Sequence, residues 1–338
     1  MLTSKKIFCL GVMTTALSTM GVGFIDLSNL HITAINQISS VALAGQDQDG
    51  LFPVAIKDKM GYIDKTGKVI IQPKFEGAVA FSEGLGIVIL NGKYGYINKK
   101  GQIVIKPQFN AAESFSEGLA IVEIGSKKGF IDQTGKIIIK PRFQDAYSFS
   151  DGLALVTGEN EHGFIDQTGK IVINALRSDL PTGINPIFDK VYPFSEGLAP
   201  IEINGKYGYI DKTQKVVIQP QFDGANGFSE GFAAVQILNK KHEAKYGYID
   251  KSGKIVIQPQ FDSAYKFSEG LAAVSSGYQW GYLDKTGKFV IKPRYFEHVE
   301  SFVNGLASVV VPDRKKHHSR YDEGLESRYI DKTGNYVW

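Results

Sequence analysis

Carboxylate side chains recur at two fixed places along the chain and are the first candidates for chemistry. Aspartates follow a short Gly-aromatic-Ile run at Asp64, Asp132, Asp166, Asp211, Asp250, Asp284 and Asp331, with Asn98 in one copy. Glutamates precede a glycine at Glu83, Glu117, Glu196, Glu230 and Glu269, with Asp151 and Asn304 at the same place. Oxygen-rich rows suit Ca²⁺, and paired carboxylates can hydrolyse glycosides.

Repetition argues against both of these chemical roles. Catalysis needs one asymmetric pocket, whereas these carboxylates return in nearly every copy. The aspartates are typical of turn residues that accept local hydrogen bonds, and the swap to Asn98 suits that role. We therefore expect structural carboxylates, no catalytic residues and no enzyme activity.

Aromatic residues form the best candidate for binding. The position before a recurring glycine holds Tyr94, Tyr207, Tyr246 and Trp280, and the position after it holds Tyr or Phe. If one column faces solvent, it offers a stacking surface for sugar rings or peptide. The alternative is that both columns belong to the core.

Other chemistry has little support in the sequence. The one cysteine, Cys9, precedes the repeats, so the repeats have neither disulfide nor thiolate. The adjacent His317 and His318 lack the spacing of metal ligands, and nucleotide and hydrolase motifs are missing. The 38 basic and 35 acidic residues nearly balance, which argues against nucleic acid or a membrane surface as partner. We predict neither a cofactor nor a metal.

A regular repeat organises the chain from Gly61 onward, and its opening glycine returns at equal intervals at Gly95, Gly129 and Gly163. Each copy reads as a strand, a three-residue turn ending in glycine, a second strand, an aromatic connector and a third strand. In the fifth copy Gln214 replaces the turn glycine, which predicts a left-handed conformation there. The second strand is apolar at three successive positions, which predicts burial on both faces, and a proline is expected to end it.

The motif G-[YF]-I-D-x-T-G-K-x-V-I-x-P, followed by F-S-E-G-L-A, resembles the WG-repeat proteins, a bacterial family. The tryptophan that names the family stands only at Trp280-Gly281, and the resemblance covers residues 51–338. It implies a repeat fold of the kind found in exported and surface proteins. It implies no common reaction and carries over no catalytic residue.

The predicted fold is all-β, a tandem array of eight three-stranded antiparallel meanders. Whole meanders at both ends, and a repeat shorter than the roughly 40–50 residues of ordinary propeller blades, favour an open, twisted β-solenoid. Such an array has a radius of gyration clearly above the roughly 19 Å of a compact chain of this length. A closed, propeller-like ring is the alternative.

Residues 1–44 differ from the repeats. Lys5 and Lys6 precede an uncharged apolar run, and Ala42-Leu43-Ala44 is typical of a signal-peptidase site. We expect a signal peptide and a mature chain from Gly45; the alternative is an uncleaved N-terminal anchor. The repeat array would then occupy residues 45–338, with loop insertions at 175–185 and 313–326.

These observations favour an exported, non-catalytic binding scaffold. The expected compartment is periplasmic, cell-surface or extracellular, and the expected partner is a polysaccharide or protein of the cell envelope. No membrane contact is expected beyond an N-terminal anchor. The alternative function is a hydrolase-like enzyme with a pocket near the 175–185 insertion.

Overall fold

The structure is a computed structural model, and it describes residues 50–159, 161–174, 190–239, 243–312 and 325–337. The described residues form eight antiparallel sheets that follow one another in chain order. The predicted all-β class and the count of eight units are therefore confirmed. No helix long and apolar enough to cross a membrane occurs in these ranges.

The first and last sheets have three strands each. The first contains β1 (Phe52–Ile56), β2 (Lys59–Ile63) and β3 (Val69–Phe75), and the eighth contains β28 (His298–Val299), β29 (Leu306–Pro312) and β30 (Leu325–Asp331).

The six sheets between them have four strands each. The second contains β4 (Gly77–Ala78), β5 (Leu85–Leu90), β6 (Lys93–Asn98) and β7 (Ile103–Phe109); the third contains β8 (Ala111–Ala112), β9 (Leu119–Ile124), β10 (Lys127–Asp132) and β11 (Ile137–Phe143); the fourth contains β12 (Asp145–Ala146), β13 (Ala154–Thr157), β14 (His162–Ile165) and β15 (Ile171–Asn174). The fifth contains β16 (Lys190–Val191), β17 (Leu198–Ile203), β18 (Lys206–Asp211) and β19 (Val216–Phe222); the sixth contains β20 (Gly224–Ala225), β21 (Phe232–Leu238), β22 (Ala244–Asp250) and β23 (Ile255–Phe261); the seventh contains β24 (Ser263–Ala264), β25 (Leu271–Ser276), β26 (Gln279–Asp284) and β27 (Phe289–Tyr295).

The repeating glycine turns have the predicted geometry. Gly67 has φ 84° and donates its N–H to Asp64 O at 3.0 Å. Glycine adopts this left-handed conformation without the steric cost that a Cβ imposes. Gln214 occupies the same place with φ 67° and makes the same backbone hydrogen bond to Asp211, so the prediction for the fifth turn is confirmed.

Gln214→Gly is therefore expected to stabilise the protein by about 1 kcal/mol, because glycine removes the cost of a left-handed side-chain-bearing residue. Urea unfolding of both proteins measures the difference. Gln221→Gly in strand β19 is the matched control and is expected to destabilise, because glycine weakens a strand. A Gln214→Gly protein that is less stable than the parent would contradict the interpretation.

The glycine before the buried aromatic residue lets the backbone of the next strand pass close to its Cα. A Cβ built on Gly95 would lie 2.6 Å from Ile105 O and 2.6 Å from Pro107 N. The segment after Ile105 therefore passes directly over β6. The proline does not end the strand as predicted; instead a bulge forms, and the pairing skips from Tyr96↔Ile105 to Tyr94↔Phe109.

The predicted burial of the apolar strand on both faces is wrong. The central residue of each triplet is exposed by 37–47%, as at Ile70, Val104, Ile138, Val172, Val217, Val256 and Val290. These strands lie at sheet edges, and only their third apolar residue is fully buried. The exposed β-branched residues fit an extended strand through their conformational preference rather than through burial.

Aromatic pairs join each sheet to the next. The tyrosine or phenylalanine after each key glycine contacts the second phenylalanine of the following connector, with ring centroids 4.8–5.0 Å apart. Tyr96, for example, is fully buried against Phe115 and donates its hydroxyl hydrogen to Glu113 O at 2.7 Å. The connectors are thus compact bends held by their aromatic residues, as predicted, with a two-residue strand added.

The eighth sheet packs against the first, so the array is a closed ring. Tyr329 donates its hydroxyl hydrogen to Pro53 O at 2.9 Å, and its ring lies 5.2 Å from Phe52. Phe52, Val54, Ile63 and Leu306 form one buried cluster across this seam. The fold is an eight-bladed β-propeller.

The predicted open solenoid, with its enlarged radius of gyration, is therefore wrong for two physical reasons. A repeat this short suffices for a blade because one continuous segment serves two sheets. For example, the segment that ends the second sheet at Phe109 forms the short first strand of the third sheet from Ala111. Whole meanders stand at both ends because side chains, rather than a shared strand, close the seam.

Candidate functional site

The aspartates of the hairpin turns accept hydrogen bonds from groups within their own turns. Asp64 Oδ1 accepts hydrogen bonds from Thr66 N at 2.8 Å, Thr66 Oγ1 at 2.6 Å and Lys68 N at 3.1 Å. The Thr66 hydroxyl is the main cause that holds the pKa of this exposed carboxyl below its usual value. The same pattern recurs at Asp132, Asp166, Asp211, Asp250, Asp284 and Asp331. The predicted structural role in the turns is confirmed.

These turns predict how stability responds to acid. A carboxyl whose pKa is lowered on folding stabilises the protein above its unfolded pKa of about 4, and this stabilisation is lost as the pH falls through the folded pKa. Asp132→Asn should therefore lose this stabilisation at pH 7 and lose less stability than the parent between pH 5 and pH 2.5. Asn98→Asp is the matched variant and should have the opposite effect, a larger loss of stability in acid. Urea midpoints at pH 7 and pH 3 test both, and equal acid losses in the parent and both variants would contradict the account.

The acidic residues before the second glycine join neighbouring sheets. Glu83 Oε2 accepts the N–H of Gly118 in the next sheet at 3.0 Å. The same contact, at 2.6–3.0 Å, links Glu117 to Gly152, Asp151 to Gly197, Glu196 to Gly231, Glu230 to Gly270 and Glu269 to Gly305. Lysines lie within 3.1–3.2 Å of Glu196, Glu230 and Glu269. The sequence indicated a structural role for these carboxylates, and the structure shows that this role is a repeated contact between sheets.

The two aromatic columns have different environments. The residue after the glycine is core: Tyr62, Tyr96, Tyr209, Tyr248 and Tyr282 are fully buried. The residue before it is half-buried. Tyr94, Tyr207, Tyr246 and Trp280 each pack at the margin of a separate hydrophobic cluster. The structure therefore does not bring these four predicted residues together into one ladder.

The repeat is broken in the seventh sheet. From Pro259 to the connector phenylalanine Phe267 the spacing is eight residues, but from Pro293 to Phe302 it is nine. Phe296 is buried at 2% exposure and fills the place that Phe261 fills in the sixth sheet. The extra residue, Tyr295, is 54% exposed. The one-residue insertion has thus added an aromatic side chain that faces solvent, while the core position remains filled.

Two further aromatic residues in this sheet depart from the repeat. Tyr278 lies in the β25–β26 turn, where the second and third sheets have Gly92 and Ser126, and it is 84% exposed. Phe289 stands where six other copies have Val or Ile. In register, Tyr295 lies directly opposite Gln279, the neighbour of Tyr278, and directly opposed residues of paired strands share a face.

A cavity of about 320 Å³ lies on this face, between the sixth and seventh sheets. Its walls are Gln260 and Phe261 from the sixth sheet and Ser276, Gln279, Phe289 and Pro293 from the seventh. Phe261 and Phe289 meet edge to face, with centroids 6.3 Å apart. We call Tyr278, Tyr295 and these six residues the seventh-sheet surface. Its residues were not predicted as a site, although the lengthened Pro293–Phe302 spacing was the signal that marked it.

Trp280 lies beside this surface but does not line the cavity. It follows Gln279 in β26, so its side chain leaves the strand on the opposite face. There it contacts Tyr265, with centroids 5.2 Å apart, and packs on the cluster between the seventh and eighth sheets. Burial lowers the pKa of His298, whose ring centroid lies 6.5 Å from that of Tyr265.

Several sequence predictions fall outside the described residues. These are the leader at 1–44, the 175–185 insertion with its predicted enzyme pocket, and the 313–324 part of the second insertion with His317 and His318. Within the described ranges, no three His, Cys, Asp or Glu side chains are grouped so that they could hold a metal ion.

Sequence comparison identifies the repeat. The family described as "WG containing repeat" matches at residues 60–94, 94–127, 129–159, 183–207, 207–241, 246–278 and 280–311. These matches cover more than half of the chain, which therefore belongs to the WG-repeat family, as its motifs indicated. No curated protein matches the sequence.

Solved structures share a distant likeness. PorZ, a surface component of the type-IX secretion system of Porphyromonas gingivalis, has 12% identity and a TM-score of 0.43; the match covers 78% of this chain and 38% of PorZ. Hsv2 of Kluyveromyces marxianus has 12% identity and a TM-score of 0.44, and the match covers 73% of this chain and 93% of Hsv2. Hsv2p of Kluyveromyces lactis has 10% identity and the same TM-score, and the match covers 74% of this chain and 94% of Hsv2p. The propeller assignment rests on the sheet order and the seam, not on these likenesses.

Proposed function

We propose that the chain is an exported, non-catalytic binding scaffold that engages a polysaccharide or protein of the cell envelope through the seventh-sheet surface. The observation that carries this proposal is the concentration of departures from the repeat in one sheet. Tyr278, Phe289 and Tyr295 all replace or add to the repeat pattern there. Residues that repeat in every sheet build the ring, so the place where the pattern changes is the better candidate for a specific role.

The exposure of these side chains supports binding rather than packing. Tyr278 and Tyr295 are exposed by 84% and 54%, although large aromatic residues contribute most to stability when they are buried. An exposed tyrosine near the cavity offers contact area with few rotatable bonds, and tyrosine is enriched where proteins bind partners. Tyr94, Tyr207, Tyr246 and Trp280 remain secondary binding candidates, since each is half-buried at the edge of a junction.

The chemistry of the surface supports a non-catalytic role. Acid–base catalysis needs an ionisable group within hydrogen-bond reach of the substrate, and the six residues of the cavity wall carry none. The recurring carboxylates accept backbone N–H groups in turns or between sheets. Export is proposed from the apolar leader and the Ala42-Leu43-Ala44 motif.

Sedimentation with the cell envelope tests this function. The full chain is expressed with its leader in its native cell, purified from the exported fraction and mixed with washed envelopes. We expect it to sediment with them, and the double variant Tyr278→Ala/Tyr295→Ala to bind at least about tenfold more weakly, since two stacking aromatic residues are lost.

Tyr147→Ala is the matched control, because Tyr147 is an exposed tyrosine of the fourth sheet. It is expected to sediment like the parent. Recovery of the chain only from the cytoplasm would reject the export proposal. Envelope binding that the double variant retains in full would reject the seventh-sheet surface as the binding site.

A further inference from the structure

The geometry points to a neutral polysaccharide as the ligand of the seventh-sheet surface. This inference rests on the proposed binding function and narrows its partner to one chemical class. It follows from three features of the described residues: the polarity of the cavity wall, the state of the neighbouring charges, and the placement of the two exposed tyrosines.

The cavity wall combines apolar faces with uncharged hydrogen-bonding groups. Phe261, Phe289 and Pro293 provide the apolar part, while Gln260, Gln279 and Ser276 provide amides and a hydroxyl. Side-chain amides both donate and accept hydrogen bonds, as the hydroxyl groups of a sugar do. The C–H faces of a sugar ring match flat aromatic surfaces. This mixture of groups fits a pyranose better than a wholly apolar ligand.

The carboxylate next to the cavity is already paired with a lysine. Asp262, which follows Phe261, forms a salt bridge with Lys245 and accepts the N–H of Gly277 at 2.6 Å. The Lys245 ammonium is the main cause that lowers the pKa of Asp262. The Arg294 guanidinium lies over the ring of Phe296, 5.5 Å from its centroid. The cavity wall itself carries no charged side chain, and the neighbouring Asp262 carboxylate is already paired with Lys245, which favours a neutral ligand.

The two tyrosines extend the surface beyond the cavity. Tyr295 lies opposite Gln279 in register, and Tyr278 precedes Gln279 in the turn. One wall residue is thus next to Tyr278 in the chain and opposite Tyr295 in the sheet. A cavity of about 320 Å³ is at the small end of ligand sites, so it suits one part of a longer chain. Exposed tyrosines at neighbouring positions can stack on further sugars, which favours a polysaccharide over a free monosaccharide.

Chemical treatment of envelopes tests the ligand class. Washed envelopes are divided into a periodate-treated sample, whose sugar diols are cleaved, a protease-treated sample and an untreated sample. We expect the full chain to sediment with untreated and protease-treated envelopes and to lose at least about tenfold in binding after periodate. Binding lost to protease and retained after periodate would overturn the polysaccharide and leave the proposed binding function in place. Failure to bind untreated envelopes would reject the proposed function itself.

Defined oligosaccharides test neutrality and the tyrosines. The probes are six-residue β-1,4-linked glucose, α-1,4-linked glucose and β-1,4-linked mannose, whose vicinal diols periodate cleaves, with hexagalacturonate as the acidic comparison. Binding is measured by saturation-transfer NMR and titration calorimetry. We expect a neutral probe to bind and the acidic probe to fail.

Side-chain variants then separate stacking from general structure. Tyr278→Ala and Tyr295→Ala should each weaken binding of the neutral probe by about tenfold, whereas Tyr295→Phe, which keeps the ring, should remain within about twofold. Tyr147→Ala should bind like the parent. Binding of hexagalacturonate alone, or neutral binding that neither tyrosine variant weakens, would overturn the inference.

Discussion

Gly95→Ala is expected to destabilise the protein by about 3 kcal/mol, the upper part of the usual range for overpacking a core. The new Cβ would lie 2.6 Å from Ile105 O and from Pro107 N. Both atoms belong to the backbone of the crossing segment, which cannot turn aside as a flexible side chain could. Urea unfolding measures the loss.

Gly158→Ala is the matched control. The nearest atom to its new Cβ would be Glu161 O at 3.6 Å, an ordinary contact, so its effect should stay within about 0.5 kcal/mol. If the two alanine variants prove equally stable, the crossing does not constrain the glycine and its recurrence has another cause.

Tyr329→Ala should both destabilise the protein, by about 3 kcal/mol, and enlarge it in solution. The substitution removes the aromatic contact with Phe52 and the hydrogen bond to Pro53 O. The backbone does not bridge this seam, so these side chains hold the ring closed. For the repeats of the parent, solution scattering should give a radius of gyration of roughly 19 Å, the value of a compact chain. The variant should give a larger value.

Tyr248→Ala tests whether the effect belongs to the seam. Tyr248 makes the equivalent contact inside the ring, with its centroid 4.9 Å from Phe267. The backbone continues across that junction, so this variant should lose stability without growing. A Tyr329→Ala protein of unchanged size would show that the seam is held without this tyrosine.

The period of the repeat predicted the individual sheets of the fold, because the turns and connectors of each sheet are determined by residues within one copy. Glycine at the turn, proline in the last strand and aromatic residues in the connector all act on their near neighbours in the chain. The left-handed conformation of Gln214 followed from the same rule. Closure could not be predicted this way, since it depends on contact between Phe52 and Tyr329, which lie at opposite ends of the array.

The number of strands in each sheet was also beyond local reasoning. The connector contributes two residues to a sheet, such as Ala111 and Ala112 in the third, and this pairing is visible only when the neighbouring sheet is present. Similarly, three apolar residues in a row suggested double burial, but the position of the strand at a sheet edge leaves Val104 and its equivalents exposed.

The proposed site differs in place from the aromatic positions that the sequence suggested. Aromatic residues were expected to form the binding surface, and the recurring positions drew attention to Tyr94, Tyr207, Tyr246 and Trp280. A recurring position is constrained by the junction that it helps to build, and the structure places all four at junction margins. Tyr295 escapes that constraint because it is an insertion.

Restoring the repeat pattern in the seventh sheet tests the central claim most directly. The variant deletes Tyr295 and carries Tyr278→Ser, so that the spacing and turn match the other copies. We predict an intact ring, with an unchanged radius of gyration and cooperative unfolding, and envelope binding reduced at least about tenfold. Tyr278→Ser alone is measured beside it, because it leaves the length of the sheet unchanged, and it should also weaken binding. A folded, pattern-restored protein that binds envelopes as tightly as the parent would contradict the claim that the broken repeat is the binding site.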